Sequence, residues 1–349
     1  MKYANPKYPR TEVEKAGDHL RLGRATDGDL DVISNWRAAH AFPLLTFRVT
    51  LGTRGRKIEQ KVLISQRLKR LSSIAAKLNR FRNLRLWNLQ DIGGCRAVFS
   101  SERRARQSFE QYRDDTTLKH DLLWHKNYVD EPKASGYRSF HLIYGYRGRN
   151  PVYDDLLIEI QIRSRFQHAW ATAVETVDIF TAQALKSSMG TPEWDEFFKL
   201  MSSFIALRER KPTVPGTPPK RAELKSRIRE SASHLRVVDR LHDFRQITQD
   251  FEKNQIRNIT GEPMPGYFLL KVEPQHKRIL ISAYKGRSLE EAERDYLDVE
   301  REILSERTRS DAVLVSVEKL VNLRKAYPNY YGDTDMFLDI LTMALEGSD

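Results

Sequence analysis

The stretch Leu157-Ile158-Glu159-Ile160-Gln161-Ile162-Arg163 alternates strictly between apolar and polar residues. Alternation of this kind marks a β-strand with one face in a core and the other outside it. Ile158, Ile160 and Ile162 form the apolar set, so Glu159, Gln161 and Arg163 share the opposite face as an acid, an amide and a base. A carboxylate flanked by two hydrogen-bonding groups on a rigid strand is how an enzyme fixes a general base or a metal ligand. Alternation alone also leaves open a solvated strand face.

A strand of this type needs a core to lie on, and 349 residues with 40% hydrophobic and 30% charged content imply a soluble globular chain of two domains. No apolar run is long enough to span a bilayer, and the N-terminus lacks the apolar segment of a signal peptide, so the expected location is cytoplasmic, without a membrane partner. Cys95 is the only cysteine, which excludes internal disulfides and a multi-cysteine zinc site. Beside two glycines at the start of a strand, it fits a small buried residue better than a nucleophile. The net charge of +12 favours polyanionic partners such as nucleotides, RNA or DNA. A merely basic surface is the alternative.

Residues 11–40 read as helical, followed by a second, long basic helix over 55–82. A strand at 95–99 is closed by Ser100-Ser101-Glu102 as a helix cap. A loop at 126–136 leads to a strand over 137–146, then the Glu159 strand, then a helix over 166–184. Residues 211–220, Lys-Pro-Thr-Val-Pro-Gly-Thr-Pro-Pro-Lys, form an extended linker that divides residues 1–210 from 221–349. Beyond it the pattern predicts a helix over 222–253, a hairpin of 267–272 and 278–283, and a helix over 288–306 capped by Ser288. A strand at 312–317, a helix to Lys325, the segment Tyr327-Pro328-Asn329-Tyr330-Tyr331 and a last amphipathic helix complete the chain.

Three further clusters carry chemistry. Lys69, Ser73 and Lys77 recur every fourth residue, which on a helix places them on one face, with Arg67 one turn from Arg70 on a neighbouring stripe. Ammonium groups around a hydroxyl suit a polyphosphate, although a solvated charged helix has the same spacing. Asp91, in Gln90-Asp91-Ile92-Gly93-Gly94-Cys95-Arg96, is either a turn former or a magnesium ligand, since Mg2+ takes one or two carboxylates plus substrate phosphates. On the strand after the glycine of Lys133-Ala134-Ser135-Gly136-Tyr137-Arg138, residues Tyr137, Ser139 and His141 share a face. A tyrosine flanked by Lys133 and Arg138 suits stacking on a nucleobase, or simple packing on a sheet edge.

These clusters, in this order, resemble the synthetase domain of the RelA/SpoT family over about residues 55–185. The matching positions are Arg67, Lys69, Ser73, Ile74 and Lys77, then Asp91 to Arg96, then Pro132 to His141, then Glu159 to Arg163. The resemblance implies a mixed α/β (α+β) fold of nucleotidyltransferase type, with the sheet flanked by helices, and a pyrophosphokinase activity. ATP would lie with its adenine between Arg67 and Arg96 and its phosphates on Lys69, Ser73 and Lys77. Asp91 and Glu159 would hold Mg2+. Glu159 would draw the proton from an acceptor 3′-hydroxyl that attacks the β-phosphorus of ATP and expels AMP. Tyr137 would stack on the acceptor base, supported by Lys133, His141, Gln161 and Arg163. One departure is Asn127, where many relatives carry an acid before the tyrosine; its loss would make the acceptor site more basic.

The segments 35–44 and 327–330 are similar to CapRel-type fused toxin–antitoxins. That resemblance implies the 3′-terminal adenosine of tRNA as acceptor, with GDP or GTP as the alternative of the alarmone synthetases. It also implies a smaller C-terminal α+β domain, zinc-finger-like without the metal, whose Tyr327 and Tyr330 obstruct the ATP site until a phage capsid or other phage protein releases them. A helix-terminating turn with aromatic anchors is the plainer explanation of Tyr327–Tyr331. A metal-dependent phosphohydrolase, prompted by His120-Asp121 and His242-Asp243, lacks further ligands, and the short stretch before the synthetase leaves no room for a hydrolase domain. A pure RNA-binding module would not explain Asp91 and Glu159, because carboxylates facing phosphates weaken binding.

Overall fold

The computed structural model describes residues 3–185, 192–243, 266–273, 276, 278–285, 289–305, 310–317 and 334–346. Two helices, α1 (Arg10–Arg21) and α2 (Asp27–Ala39), open the chain. Thr26 and Asp29 cap α2 reciprocally, side chain to backbone in both directions, which satisfies two of the amides that a helix start leaves without partners.

The long basic helix expected over 55–82 is not one element. Helix α3 runs Ala41–Ile58, strand β1 Leu63–Leu68 and helix α4 Leu71–Arg80. Glu59 ends α3 in extended backbone, and its carboxylate accepts from the amide and hydroxyl of Ser100 at 3.0 and 2.9 Å. Strand β1 hydrogen-bonds along its length to β2 (Gly93–Phe99), and that ladder outweighs the helical propensity of its Gln-Arg-Leu residues. Ser101 caps α5 (Glu102–Arg113) as expected. Two edges differ again: a strand β3 (Asp121–Asn127) lies in part where a loop was expected, and β4 covers only Phe140–Gly145.

Strand β5 (Leu157–Ser164) sits at the centre of a five-stranded mixed sheet ordered β1-β2-β5-β4-β3, parallel to β2 and antiparallel to β4. Ile158, Ile160 and Ile162 are fully buried, as the alternation requires. They join Cys95, Ala97, Phe99, Phe140, Leu142 and Tyr144 in a core closed by Phe47 and Leu51 of α3 and by Phe109 and Tyr112 of α5. Burial also pushes the Cys95 thiol well above its ordinary value, which rules out a ready nucleophile. The opposite, polar face of the sheet is therefore free to serve as a site.

Helix α6 (Arg165–Leu185) follows β5, then α7 (Pro192–Arg208) and, after the prolines, α8 (Arg221–His234). Residues 211–220 form no helix, in keeping with their prolines. They are not an open spacer, however: Val214 is buried, and its amide donates to Ser203 Oγ, which also bonds Thr217. Leu224 and Ile228 of α8 share one core with Trp170, Phe197 and Phe204, and Phe337, Ile340 and Leu341 of the last helix, α10 (Asp335–Leu345), enter the same core. The helix expected over 222–253 breaks after α8, where Arg236 adopts a left-handed φ of 49°.

Between α8 and α10 lies a smaller α+β unit. Strands β6 (Gly266–Glu273), β7 (Arg278–Lys285) and β8 (Asp311–Val317) form an antiparallel sheet ordered β7-β6-β8, packed on α9 (Leu289–Ser305). The expected hairpin and strand are both present. Ser288, Tyr327 and Tyr330 lie outside the described residues.

Candidate active site

Register places the polar residues of four strands on one sheet face. Arg67 stands opposite Gly94 and Ser65 opposite Arg96; Gly94 pairs with Glu159 and Arg96 with Gln161; Gln161 in turn faces His141. Residues directly opposite one another point to the same side, so Arg67, Arg96, Glu159, Gln161 and His141 form one continuous surface. The adjacency of Arg67 and Arg96 arises across two strands, not along a helix.

Glu159 is held by both oxygens. Oε1 lies 2.8 Å from His141 Nδ1, and Oε2 accepts from Gln161 Nε2 at 2.7 Å. The chain continues outward: His141 Nε2 meets Tyr137 Oη at 2.8 Å, and Arg163 Nη2 donates to both Tyr137 Oη (2.7 Å) and Gln161 Oε1 (2.9 Å). Burial opposes ionisation of Glu159, but the charge of His141 and the two hydrogen bonds outweigh it, so its pKa falls below the usual carboxylate range. Burial likewise opposes the imidazolium of His141, yet Tyr137 and Glu159 draw its pKa upward. Tyr137 is lowered to about 8: burial works against ionisation, but Arg163 and His141 more than compensate. All five groups were expected on this surface, and the structure joins Tyr137, His141, Glu159, Gln161 and Arg163 into one network.

Asp91 enters β2 from the loop before it. Its two oxygens accept from Lys69 Nζ at 2.7 Å and Lys77 Nζ at 2.9 Å. Lys69 lies between β1 and α4, whereas Ser73 and Lys77 are one turn apart on α4 itself. The two lysines thus meet at Asp91 without sharing a helix face. Burial foremost holds the Lys69 pKa below its ordinary value, despite Asp91. Asp91, Glu159, Arg67, Lys69, Arg96 and Gln161 line a single open cleft. Gly94 is its floor: a Cβ there would meet nothing nearer than Glu159 O at 4.0 Å, whereas one at Gly93 would lie 2.8 Å from Ile158 Cδ1. The first glycine is demanded by the core, and the second keeps the cleft open.

Lys133 Nζ sits 4.7 and 4.9 Å from the ring centres of Tyr128 and Tyr137, and Lys133 is exposed. Arg138 is not beside it. Its side chain is buried and donates to Val129 O, Pro212 O and Ser202 Oγ, so it anchors the loop to α7 and to the proline segment. Gly136 has φ 89°, and a Cβ there would lie 2.9 Å from Ser202 Cβ; a side chain is excluded by both conformation and space. Asn127 caps its own turn, accepting from the amides of Val129 and Asp130. Its amide nitrogen also donates to Asp130 Oδ2 at 2.7 Å, a bond that aspartate could not make, so Asn127 has a local structural role in its own turn.

Two residues of α6 had no role in the expected motifs. His168 Nδ1 approaches Arg96 Nη1 at 3.4 Å, and burial together with Arg96 and Arg163 keeps its imidazole neutral, far below its ordinary pKa. Glu175, seven residues on, is lowered by Arg67, Arg96 and Arg163 against the effect of burial. Their spacing of two helical turns, facing a cluster of arginines, was the available signal.

Among the described residues no group of three or more His, Cys, Asp and Glu side chains forms a metal site by itself. Two carboxylates lining one cleft do fit Mg2+ that completes its shell with substrate phosphates and water. No described helix is long and apolar enough to cross a membrane.

Residues 66–178 match the family model described as "Region found in RelA / SpoT proteins". No curated protein matches the chain. Similar solved structures include small alarmone synthetase 1 from Bacillus subtilis bound to its product pppGpp, 22% identical over 49% of this chain and 89% of that one, with a TM-score of 0.42. Small alarmone synthetase 2 from Bacillus subtilis is 19% identical over 50% and 93%, with a TM-score of 0.43. A GTP pyrophosphokinase family protein from Streptococcus pneumoniae is 21% identical over 49% and 86%, with a TM-score of 0.40.

Proposed function

We propose that the chain is a pyrophosphokinase that moves the β,γ-pyrophosphate of ATP onto the 3′-hydroxyl of the 3′-terminal adenosine of tRNA. The observation that carries this reading is the pairing, across one glycine-floored cleft, of a lysine-bound carboxylate (Asp91) with a carboxylate oriented by His141 and Gln161 (Glu159). Lys69, Ser73 and Lys77 are the donor-phosphate ligands, and Arg67 and Arg96 flank the adenine. Mg2+, held by Asp91 and Glu159 when bound, supplies charge neutralisation at the phosphates.

The acceptor oxygen bonds to the β-phosphorus, the bond from that phosphorus to the α,β-bridging oxygen breaks, and AMP leaves. Glu159 receives the hydroxyl proton. A carboxylate with a lowered pKa is a weak base, which suits a reaction whose transition state is loose and whose acceptor turns acidic only as it bonds to phosphorus. Lys133 and Tyr137 hold the acceptor base, with His141, Gln161 and Arg163 bracing them. The charge of +12 favours tRNA; GDP or GTP is the second reading, because the same cleft would serve a nucleotide acceptor. The C-terminal region, through Tyr327 and Tyr330, holds the enzyme inactive until a phage protein binds it.

Incubation with γ-labelled ATP and either tRNA or GDP/GTP tests the assignment. Label on tRNA is the expected result, and label on guanosine nucleotide alone overturns the tRNA reading. Glu159→Gln should lower transfer by about 10³-fold; transfer at the wild-type rate removes Glu159 from the mechanism.

A further inference from the structure

Helix α4, which carries Ser73 and Lys77, has no cap of its own: Arg70 precedes it with an extended backbone and makes no capping hydrogen bond. The cap comes from the C-terminal unit instead. Glu300 of α9 accepts from the Leu71 amide through Oε1 at 2.8 Å and from Arg37 Nη1 through Oε2 at 2.5 Å. The pair is buried, with side-chain exposures of 5% for Arg37 and 6% for Glu300. Arg37 Nε is also buried and has no hydrogen-bond partner. Beside it, Arg70 pairs with Asp311 of β8. A partly open cavity adjoins this contact, and Arg67 lines both it and the donor cleft.

A helix N-terminus with two flanking guanidinium groups attracts anions through its free amides and its dipole. Ser73 is the third residue of α4 and Lys69 precedes the helix, so phosphates on these two lie at this same end, while Lys77, in the last turn, meets Lys69 at Asp91. We propose that Glu300 is a built-in competitor for the donor polyphosphate: its carboxylate occupies the amide end of α4 and neutralises Arg37, and withdrawal of the C-terminal unit exposes both to the phosphates. The inference rests on the donor-site reading above and adds a competing residue to it. It requires neither Tyr327 nor Tyr330.

Calorimetric titration of the full chain with inorganic tripolyphosphate, and separately with ATP, tests it. Glu300→Gln keeps the side-chain volume and removes the charge. The expected result is a Kd for tripolyphosphate at least about tenfold lower than wild type, with a steeper salt dependence because one more cation is engaged. Unchanged or weaker binding by a variant that still melts cooperatively overturns the proposal. Tighter tripolyphosphate binding without tighter ATP binding keeps Glu300 as the competitor and refutes the donor role of α4. Should Glu300→Gln fail to fold, Glu300→Asp, which keeps the charge but draws the carboxylate back from the Leu71 amide, is expected to tighten tripolyphosphate binding by a smaller factor, and unchanged affinity there overturns the proposal equally.

Discussion

His141 and Glu159 hold each other in their charged forms inside the sheet face, and that has a pH signature. The folded-state pKa of His141 is raised from 6.5, so its contribution is complete below that value and is lost as pH rises through the raised one. The pKa of Glu159 is lowered from 4.5, so its contribution is complete above that value and is lost as pH falls through the lowered one. The pair is therefore fully effective between 4.5 and 6.5. His141→Gln should cost about 3 kcal/mol within that window, and the difference in Tm from wild type should shrink as pH rises further. A difference constant from pH 5 to pH 10 would show that the imidazolium is not the source. The residues of this network were legible from alternation and local order, because β5 is central and both its faces have a job. Proximity to Tyr137 misplaces Arg138, although the alternation that puts Tyr137, Ser139 and His141 on one face already assigns Arg138 to the other.

The elements that escaped a reading by periodicity are the two edges of the sheet. Every residue of β1 is half-buried and β3 is largely exposed, so neither shows the buried apolar positions that betray β2, β4 and β5. In β1 the Lys- and Arg-rich surroundings also mimic a helix, and Lys69, outside α4, falls by chance at helical spacing from Ser73 and Lys77 within it. The consequence for β2 is testable through its two glycines. Gly93→Ala forces a methyl against Ile158 and should cost about 1–3 kcal/mol by overpacking. Gly94→Val should leave Tm nearly unchanged and raise KM for ATP by about tenfold or more, because its side chain fills the cleft. Equal losses of stability for both variants would mean that Gly94 is structural too.

At the scale of the whole molecule, prolines at 211–220 suggest two separable halves, whereas α6, α7, α8 and α10 share one apolar core across that segment. Proline density reports that the backbone cannot be helical; it carries no information on what the flanking helices touch. A chain ending at residue 220 loses Leu224, Ile228, Phe337, Ile340 and Leu341 from this core. Each is worth about 1.5–3 kcal/mol when buried, so their sum rivals the entire net stability of an ordinary domain, about 5–15 kcal/mol. Such a fragment should precipitate or melt without cooperativity; a soluble fragment with a single sharp transition would favour the division at the prolines.

The place of α10 in that core also bears on synthesis. A ribosome delivers the chain from its N-terminus, so Phe337, Ile340 and Leu341 are among the later residues to emerge. Until they do, the helices that back Gly136, Arg138 and Trp170 lack one wall. The loop bearing Lys133 and Tyr137 is thus seated only after the Glu300 segment has already been made. On the proposed function, a nascent chain would carry its restraint before it has a finished acceptor site.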